Sequence, residues 1–307
     1  MWSKEILGIP AIDVYGYFLI YSFLGWLMES IFVSVSDKKW VNRGFLNGPF
    51  CPIYGTGALM VLFILWDKRS NLVLLFIGGI IIASVVEYVV GAALEKLFHT
   101  TWWDYSKRKF NIKGRVCLER SLQWGVLIVV IVHTVQPLIM RALAILPQTV
   151  GEMIGTVFLI YITADTTITV LRILHMNSKL SGLHESAIEL RERLDDFNLK
   201  ERLSLDHLDS ISIPEAMQEL RAKMEEGSEE FETMRMEERL RREYILTELK
   251  SKLDERKELL RSKDWVERRL LKAYPGLSSE RFNEELRALK ERMKEARRKD
   301  DGGDVSK

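Results

Sequence analysis

The sequence predicts an all-α protein: a polytopic membrane helix bundle of about five spans, built on two repeated two-helix units and followed by a cytoplasmic helical, coiled-coil domain. Three observations predict it. Residues 1–175 carry 15 Lys/Arg and 11 Asp/Glu, whereas residues 176–307 carry 29 and 32, so a sparsely charged half precedes a densely charged one. Five runs in the first half reach the roughly 20 apolar residues that a membrane-crossing helix needs. The two cysteines also share a local frame 66 residues apart: Gly25, Glu29, Phe32, Gly48 and Cys51 fall opposite Gly91, Glu95, Phe98, Gly114 and Cys117 without a gap.

The spans follow in order. Val14 to Ser36 holds one charge, Glu29. Gly44 to Trp66 holds none, but its first part, Gly44 through Pro52, resists helix formation. Pro49 and Pro52 each lack an N–H, and Gly44 and Gly48 loosen the backbone. That stretch reads as irregular chain leading into a short helix from about Ile53, which survives at membrane depth only when buried in protein or lining a wet cavity. Asn71 to Leu94 holds only Glu87, Ser121 to Met140 holds no charge, and Met153 to Leu171 holds only Asp165. The repeats cover about 14–66 and 80–140, with a fifth span at 153–171. The expected domains are a transmembrane domain at 1–175, a charged cytoplasmic helical domain at 176–299 and a disordered tail at 300–307.

Lys and Arg set the orientation. One side receives Lys38, Lys39, Arg43, Lys96 and the basic cluster from Lys107 to Arg120, together with Arg172 and Lys179. The other receives Lys4, Lys68, Arg69 and Arg141. The N-terminus is therefore expected outside and the C-terminal half in the cytoplasm, where thiols stay reduced. Trp2, Trp40, Trp66, Trp102 and Trp103 fall near span ends, as an interfacial belt requires. The N-terminal apolar run is too long for a secretory signal. The net charge of +1 averages a +4 half with a −3 half, and neither balance points to nucleic acid. His99, His133, His175, His184 and His207 are scattered, so no metal site and no cofactor is expected.

Carboxylates inside a span are expensive, roughly 2.5–3.5 kcal/mol at mid-membrane on insertion scales. Glu87, Gly91 and Glu95 lie on one helix face, and Gly25 and Glu29 share the same spacing. Glycine one turn from each glutamate would let the first and third spans approach with their carboxylates paired. The alternative is that each glutamate pairs with Arg43, Arg115 or Lys109 to hold a loop. Asp165, among Thr163, Thr166, Thr167 and Thr169, reads as satisfied by local hydroxyls. The connection from Thr101 to Leu118 is dense in binding groups: Arg115 could fork onto a phosphate or carboxylate, while Asn111 and Gly114 suit a tight turn. The candidate substrate-binding residues are Glu29, Arg43, Asn47, Glu87, Glu95, Asp104, Asn111 and Arg115. Cys51 and Cys117 lack a histidine close in sequence and read as packed thiols, so no catalytic residue is assigned.

Beyond Arg172 the chain turns helical and charged, with breaks at Pro214 and Pro275-Gly276. Met217, Leu220, Met224, Phe231 and Met234 follow a 3-4 alternation, as do Leu246, Leu249, Leu253 and Leu260, out of phase with the first. Ser278-Ser279-Glu280 is expected to start a last helix.

Several of these stretches resemble a known family: Gly25-Trp26 with Glu29; Arg43 through Gly55; Glu87-Tyr88; Trp103-Asp104-Tyr105-Ser106; Asn111; Gly114 through Leu118; and Ser121 to Gly125. Over roughly residues 12–175 they resemble the bacterial family catalogued as putative ABC-transporter type IV permeases, and the tail from Arg268 through Ala273-Tyr274-Pro275 resembles tails in that family. The resemblance implies an integral protein of the bacterial cytoplasmic membrane that moves an unknown substrate, and it carries over no substrate or catalytic residue. The chain has no Gly-x-x-x-x-Gly-Lys-Ser/Thr loop, so an ATPase would be a separate subunit and this chain is not expected to be an enzyme. The other expected partners are the lipid bilayer and further copies of the chain, joined through the C-terminal helices. Two alternatives stand beside transport: a membrane-embedded enzyme acting on lipid headgroups, and a membrane-anchored scaffold or sensor with a coiled-coil tail.

Overall fold

Long apolar helices dominate the computed structural model, which describes residues 2, 4–209 and 264–302 and a subset of positions between 236 and 260. Among the described residues, four helical stretches are long and apolar enough to cross a membrane: Ala11–Asp37, Leu72–Phe98, Leu118–Ile145 and Gln148–Glu189. The first two are α1 and α3. On α3, Val73, Ile77, Ile81, Val85 and Val89 are all exposed. One apolar side chain per turn makes a stripe along the helix, which suits lipid and not water.

The second apolar run forms the expected short helix after irregular chain: α2 (Pro52–Leu65) has 14 residues. At 1.5 Å per residue it is about 21 Å long, against a hydrocarbon core of about 30 Å. The chain from Lys38 to Cys51 makes no helix, and Pro52 begins α2 where a missing N–H is harmless. Among the described residues the long apolar helices number four. Burial explains how irregular chain persists beside them: Leu46 is fully buried, and Val41, Phe50 and Cys51 nearly so.

α1 and α2 run antiparallel, because partners on α1 descend as those on α2 rise. Gly25 faces Tyr54, Gly55 faces Ser22 and Phe18, and Leu62 meets Tyr17 and Tyr21. A β-carbon on Gly25 would overlap the Tyr54 ring, and one on Gly55 would lie 2.6 Å from the Phe18 carbonyl oxygen. A second antiparallel pair joins α3 to α4 (Leu118–Val130), with Ser84 and Ser121 hydrogen-bonded at 2.7 Å. α2 also packs against the second pair. It gives Val61 and Leu65 to a cluster with Leu75, Ile82, Val86, Ile128 and Val132, and Leu62 to one with Tyr17, Tyr21 and Ile139.

A five-residue π turn, Ile131–Val135, joins α4 to α5 (Gln136–Ile145). Pro137, in the first turn of α5, cannot donate the usual bond back one turn, and a locally widened register is a common answer. Just after the turn, Gln136 is buried and accepts a 2.8 Å bond from the Tyr21 hydroxyl. α6 (Gln148–Asp209) begins beside α1, where Gly155 meets Ile12.

Short strands finish the loops. β1 (Glu5–Ile6) pairs with β2 (Ile9–Pro10). After β3 (Thr100–Thr101), a hairpin pairs β4 (Asn111–Ile112) with β5 (Val116–Cys117). Its turn places both Lys113 and Gly114 at positive φ, as primed hairpin turns require.

The chain divides into two compact units: Met1–Asn177 with Lys263–Leu286, and Ser178–Ser262 with Arg287–Lys307. In the first, α7 (Trp265–Ala273) is capped by Asp264, which accepts from the Val266 N–H at 2.8 Å and pairs with Arg172 at 2.8 Å. β6 (Ser278–Ser279) then pairs antiparallel with β3. That pairing corrects the expected start of the last helix: Ser278-Ser279 is held in strand form, Ser279 Oγ accepts from the Phe282 N–H at 3.2 Å, and α8 begins at Asn283. α8 runs to Gly302, into the tail expected to be disordered.

In the second unit, Lys252 pairs with Glu189 at 3.0 Å. The described positions from 236 to 259 are helical. The 3-4 pattern at Met217, Leu220, Met224, Phe231 and Met234, and at Leu246, Leu249 and Leu253, lies outside the described residues, as do Pro214 and residues 303–307.

Candidate functional site

The end of the first unit that carries the loops 38–51 and 99–117 also receives α7 and β6, and most of the candidate residues gather there. Glu29, on the last turns of α1, accepts a short hydrogen bond from the Tyr54 hydroxyl and lies 3.8 Å from the Arg43 Nε. Arg43 in turn stacks its guanidinium 4.7 Å from the Tyr274 ring centre and donates to the Ala273 carbonyl. The Tyr274 hydroxyl donates back to the Arg43 carbonyl at 2.9 Å. Tyr274 also packs edge-on against Trp102, 4.9 Å between ring centres. Trp102 is thus buried beneath the C-terminal segment. Burial raises the Tyr274 phenol well above its ordinary value, with nearby Cys51 adding to the effect.

Asn47 stands at the centre of a second arrangement. Asp165 Oδ1 accepts from its backbone N–H at 3.0 Å and from its Nδ2 at 2.8 Å, while Asp165 Oδ2 accepts from the Gly48 N–H at 2.8 Å. Among the threonines, Thr169 reaches the carboxylate at 3.4 Å, whereas Thr163 and Thr167 bond carbonyls of their own helix. Asp165 is therefore satisfied mainly by the 38–51 loop, a correction to the hydroxyl-based expectation. The irregular loop brings free backbone donors that a helix would have consumed internally. Arg269 completes the group from α7, donating to the Gly44 carbonyl at 2.7 Å, the Phe45 carbonyl at 3.0 Å and Asn47 Oδ1 at 3.2 Å. Burial lowers the Arg269 guanidinium from its ordinary value, opposed by Tyr274, Asp165 and Cys51.

Glu87, on α3, is 9% exposed, and its Oε2 has no hydrogen-bond partner among the described residues. Tyr105 and Trp124 lie against its carboxyl group, and Arg120 and Glu29 are within electrostatic reach. Burial beside Glu87 raises the Tyr105 phenol. Tyr54 and Trp124 meet edge-on at 5.6 Å, so an aromatic contact links the Glu29 group to the Glu87 group.

The remaining candidates are held locally. Arg115 engages Glu95 through both its Nε, at 2.8 Å, and its Nη2, and lies 5.1 Å over the Tyr88 ring. Trp103 donates to the Arg115 carbonyl at 2.9 Å. Glu29 and Glu95 thus each pair with an arginine of the loop that follows their helix: Glu29 with Arg43, Glu95 with Arg115. The face-to-face pairing of Glu29 with Glu95 across α1 and α3 is not what these contacts make. Asp104 binds the Ser106 N–H at 2.8 Å, and Asn111 binds the Ser106 and Arg108 carbonyls at 3.1 and 2.8 Å. Both close the 99–117 loop. Cys51 and Cys117 are free, 6% and 2% exposed, and stand just before α2 and α4.

The structure brings Glu29, Arg43, Asn47 and Glu87 to one end and adds Tyr54, Tyr105, Arg120, Trp124, Asp165, Arg269 and Tyr274. The one sequence signal for the last two was the family-like tail at Arg268–Pro275. No group of His, Cys, Asp and Glu among the described residues could hold a metal ion. No curated protein and no solved structure matches the chain. The profile of one family, described as "Putative ABC-transporter type IV", matches residues 16–170, which take in all eight candidate residues, and the chain belongs to that family.

Proposed function

We propose that the chain is the membrane component of a transport system, with its ATPase carried by a separate polypeptide, and that substrate is met at the loop-bearing end of the bundle around Glu29, Arg43, Asn47 and Glu87. The observation that carries this reading is the Glu87 carboxyl: buried in a span, one oxygen unpartnered among the described residues, and ringed by Tyr105, Trp124 and Arg120. A structural carboxylate at that depth is expected to be fully bonded, whereas one with an unsatisfied oxygen marks a functional group.

Two further points support the reading. Each cysteine directly precedes a helix that packs antiparallel on its predecessor, α2 on α1 and α4 on α3, as two related units would place them. Carriers often set their sites between such units. Arg115, the natural clamp for a lipid phosphate, is engaged by Glu95, which leaves the headgroup-enzyme reading less support. The chain sits in this reading in a bacterial cytoplasmic membrane, N-terminus outside, with residues 176–299 as a cytoplasmic domain.

The test is flux of a metabolite panel in inverted membrane vesicles containing wild type, Glu87→Gln or Glu29→Gln. The expected result is a panel member whose movement falls at least tenfold in Glu87→Gln at equal protein level. Unchanged movement of every solute would overturn the assignment. Copurification from native membranes would identify the ATPase subunit and the oligomeric state.

A further inference from the structure

The loop 38–51 and α6 together build a receptor with only acceptors in it. The carbonyl oxygens of Gly44 and Phe45 and the Oδ1 of Asn47 all face one point, at 2.7, 3.0 and 3.2 Å from the nitrogens that reach them. No backbone N–H of the described residues bonds those two carbonyls. Behind Asn47 lies the Asp165 carboxylate, 7% exposed, held by Asn47 and Gly48. Three neutral acceptors and a buried negative charge demand a cation with several N–H donors. The chain answers with its own Arg269, carried on a segment that returns from beyond residue 262.

We infer that the Gly44–Asn47–Asp165 cradle is a recognition site for solutes bearing a guanidinium or primary ammonium group, which Arg269 occupies in their place as a built-in competitor. The inference rests on the transport reading only in supposing that substrate is met at this end of the bundle. It names the substrate class that reading leaves out. Arg269 presents a planar fork of donors, and a solute with the same fork meets the same three oxygens and the same charge. Such a solute and the segment 264–286 cannot occupy the cradle together. Solute binding therefore releases the segment, and with it Tyr274 from Arg43 and Trp102. Solutes without a positive charge leave Asp165 uncompensated and do not compete.

The probe is agmatine, which carries a guanidinium at one end and an ammonium at the other. Hydrogen exchange of the full-length protein in detergent reads the segment directly, because the Glu280 N–H bonds the His99 carbonyl only while the segment is docked, and the Tyr274 and Leu277 N–H groups bond carbonyls of the segment's own folded turns. Agmatine is expected to raise exchange at these amides saturably. Sodium chloride at matched ionic strength and urea, a neutral planar donor, are expected not to. In Arg269→Ala, agmatine is expected to bind at least about tenfold tighter, the factor by which a self-competitor docked by 1.4 kcal/mol weakens wild-type binding. Adding Asp165→Asn is expected to abolish that binding.

Unchanged exchange in wild type with agmatine, or an equal rise with sodium chloride, overturns the inference. The wild-type measurement decides alone if Arg269→Ala does not fold. Binding is read here without flux, so vesicle results that sink the transport reading leave this test standing.

Discussion

Arg269 and Asp165 are coupled through one side chain, and a double-mutant cycle measures the coupling. Arg269 is 9% exposed and Asp165 7%, and Asn47 bridges them, accepting from Arg269 Nε at 3.2 Å and donating to Asp165 Oδ1 at 2.8 Å. Replacing Arg269 with Met keeps the volume but leaves Asp165 as a buried charge without its compensating cation. Replacing Asp165 with Asn leaves Arg269 in the same position. Breaking a buried charge arrangement by removing one partner costs about 3–5 kcal/mol. That corresponds to a factor of roughly a hundred to several thousand in the docking equilibrium of residues 264–286, at 1.4 kcal/mol per tenfold. Removing both partners deletes both charges, so the double variant should lose less than the sum of the singles. Interaction energies for residues in one network run about 0.5–3 kcal/mol. The assay is amide exchange at Glu280, whose N–H bonds the His99 carbonyl only while the segment is docked. Additive single effects, or unchanged exchange in Arg269→Met, would refute the charge argument and leave α7 held by its apolar packing and its other polar contacts.

Two other perturbations probe the same end of the molecule. A β-carbon on Gly48 would overlap the Tyr161 hydroxyl and stand 3.2 Å from Asp165 Oδ2; Gly48→Ala should lower thermal stability by about 1–3 kcal/mol, as overpacking does. Removing the obstructing hydroxyl with Tyr161→Phe should restore part of it, and a stable Gly48→Ala protein would show that the loop has slack. Burial raises the Tyr274 phenol above its ordinary value, so the docked state favours the protonated form. Its contribution is complete below the ordinary phenol value of about 10 and is lost as pH rises beyond it. Limited proteolysis of the 264–286 segment should therefore be flat below about pH 10 and accelerate above it, and Tyr274→Phe should remove the part of that rise due to the phenol.

Much of the bundle was legible in the sequence because lipid imposes a simple rule: a span must be long and apolar, and its backbone must bond within itself. That rule finds α1, α3, the α4–α5 pair and the first part of α6. By itself it overshoots at Gly44–Trp66, where composition satisfies the length requirement but the glycines and prolines of residues 44–51 delay the helix until Pro52. The glutamates were visible as costly groups, yet their partners were not. Arg43 and Arg115 follow Glu29 and Glu95 in the chain by 14 and 20 residues, and no helical spacing links them. Loop geometry alone brings each pair together.

Local composition and periodicity therefore determined the membrane-embedded half, the irregular loop and the buried acids, since each is a property of a short stretch of chain in hydrocarbon. Which acid meets which cation was decided only by tertiary structure. Arg269 and Tyr274 lie more than 200 residues from the Gly44, Phe45 and Arg43 carbonyls they bond. A single hydrophilic helix, read alone, gives no reason to prefer one buried acceptor over bulk water. That preference exists only once the loop has folded and left its carbonyls dry.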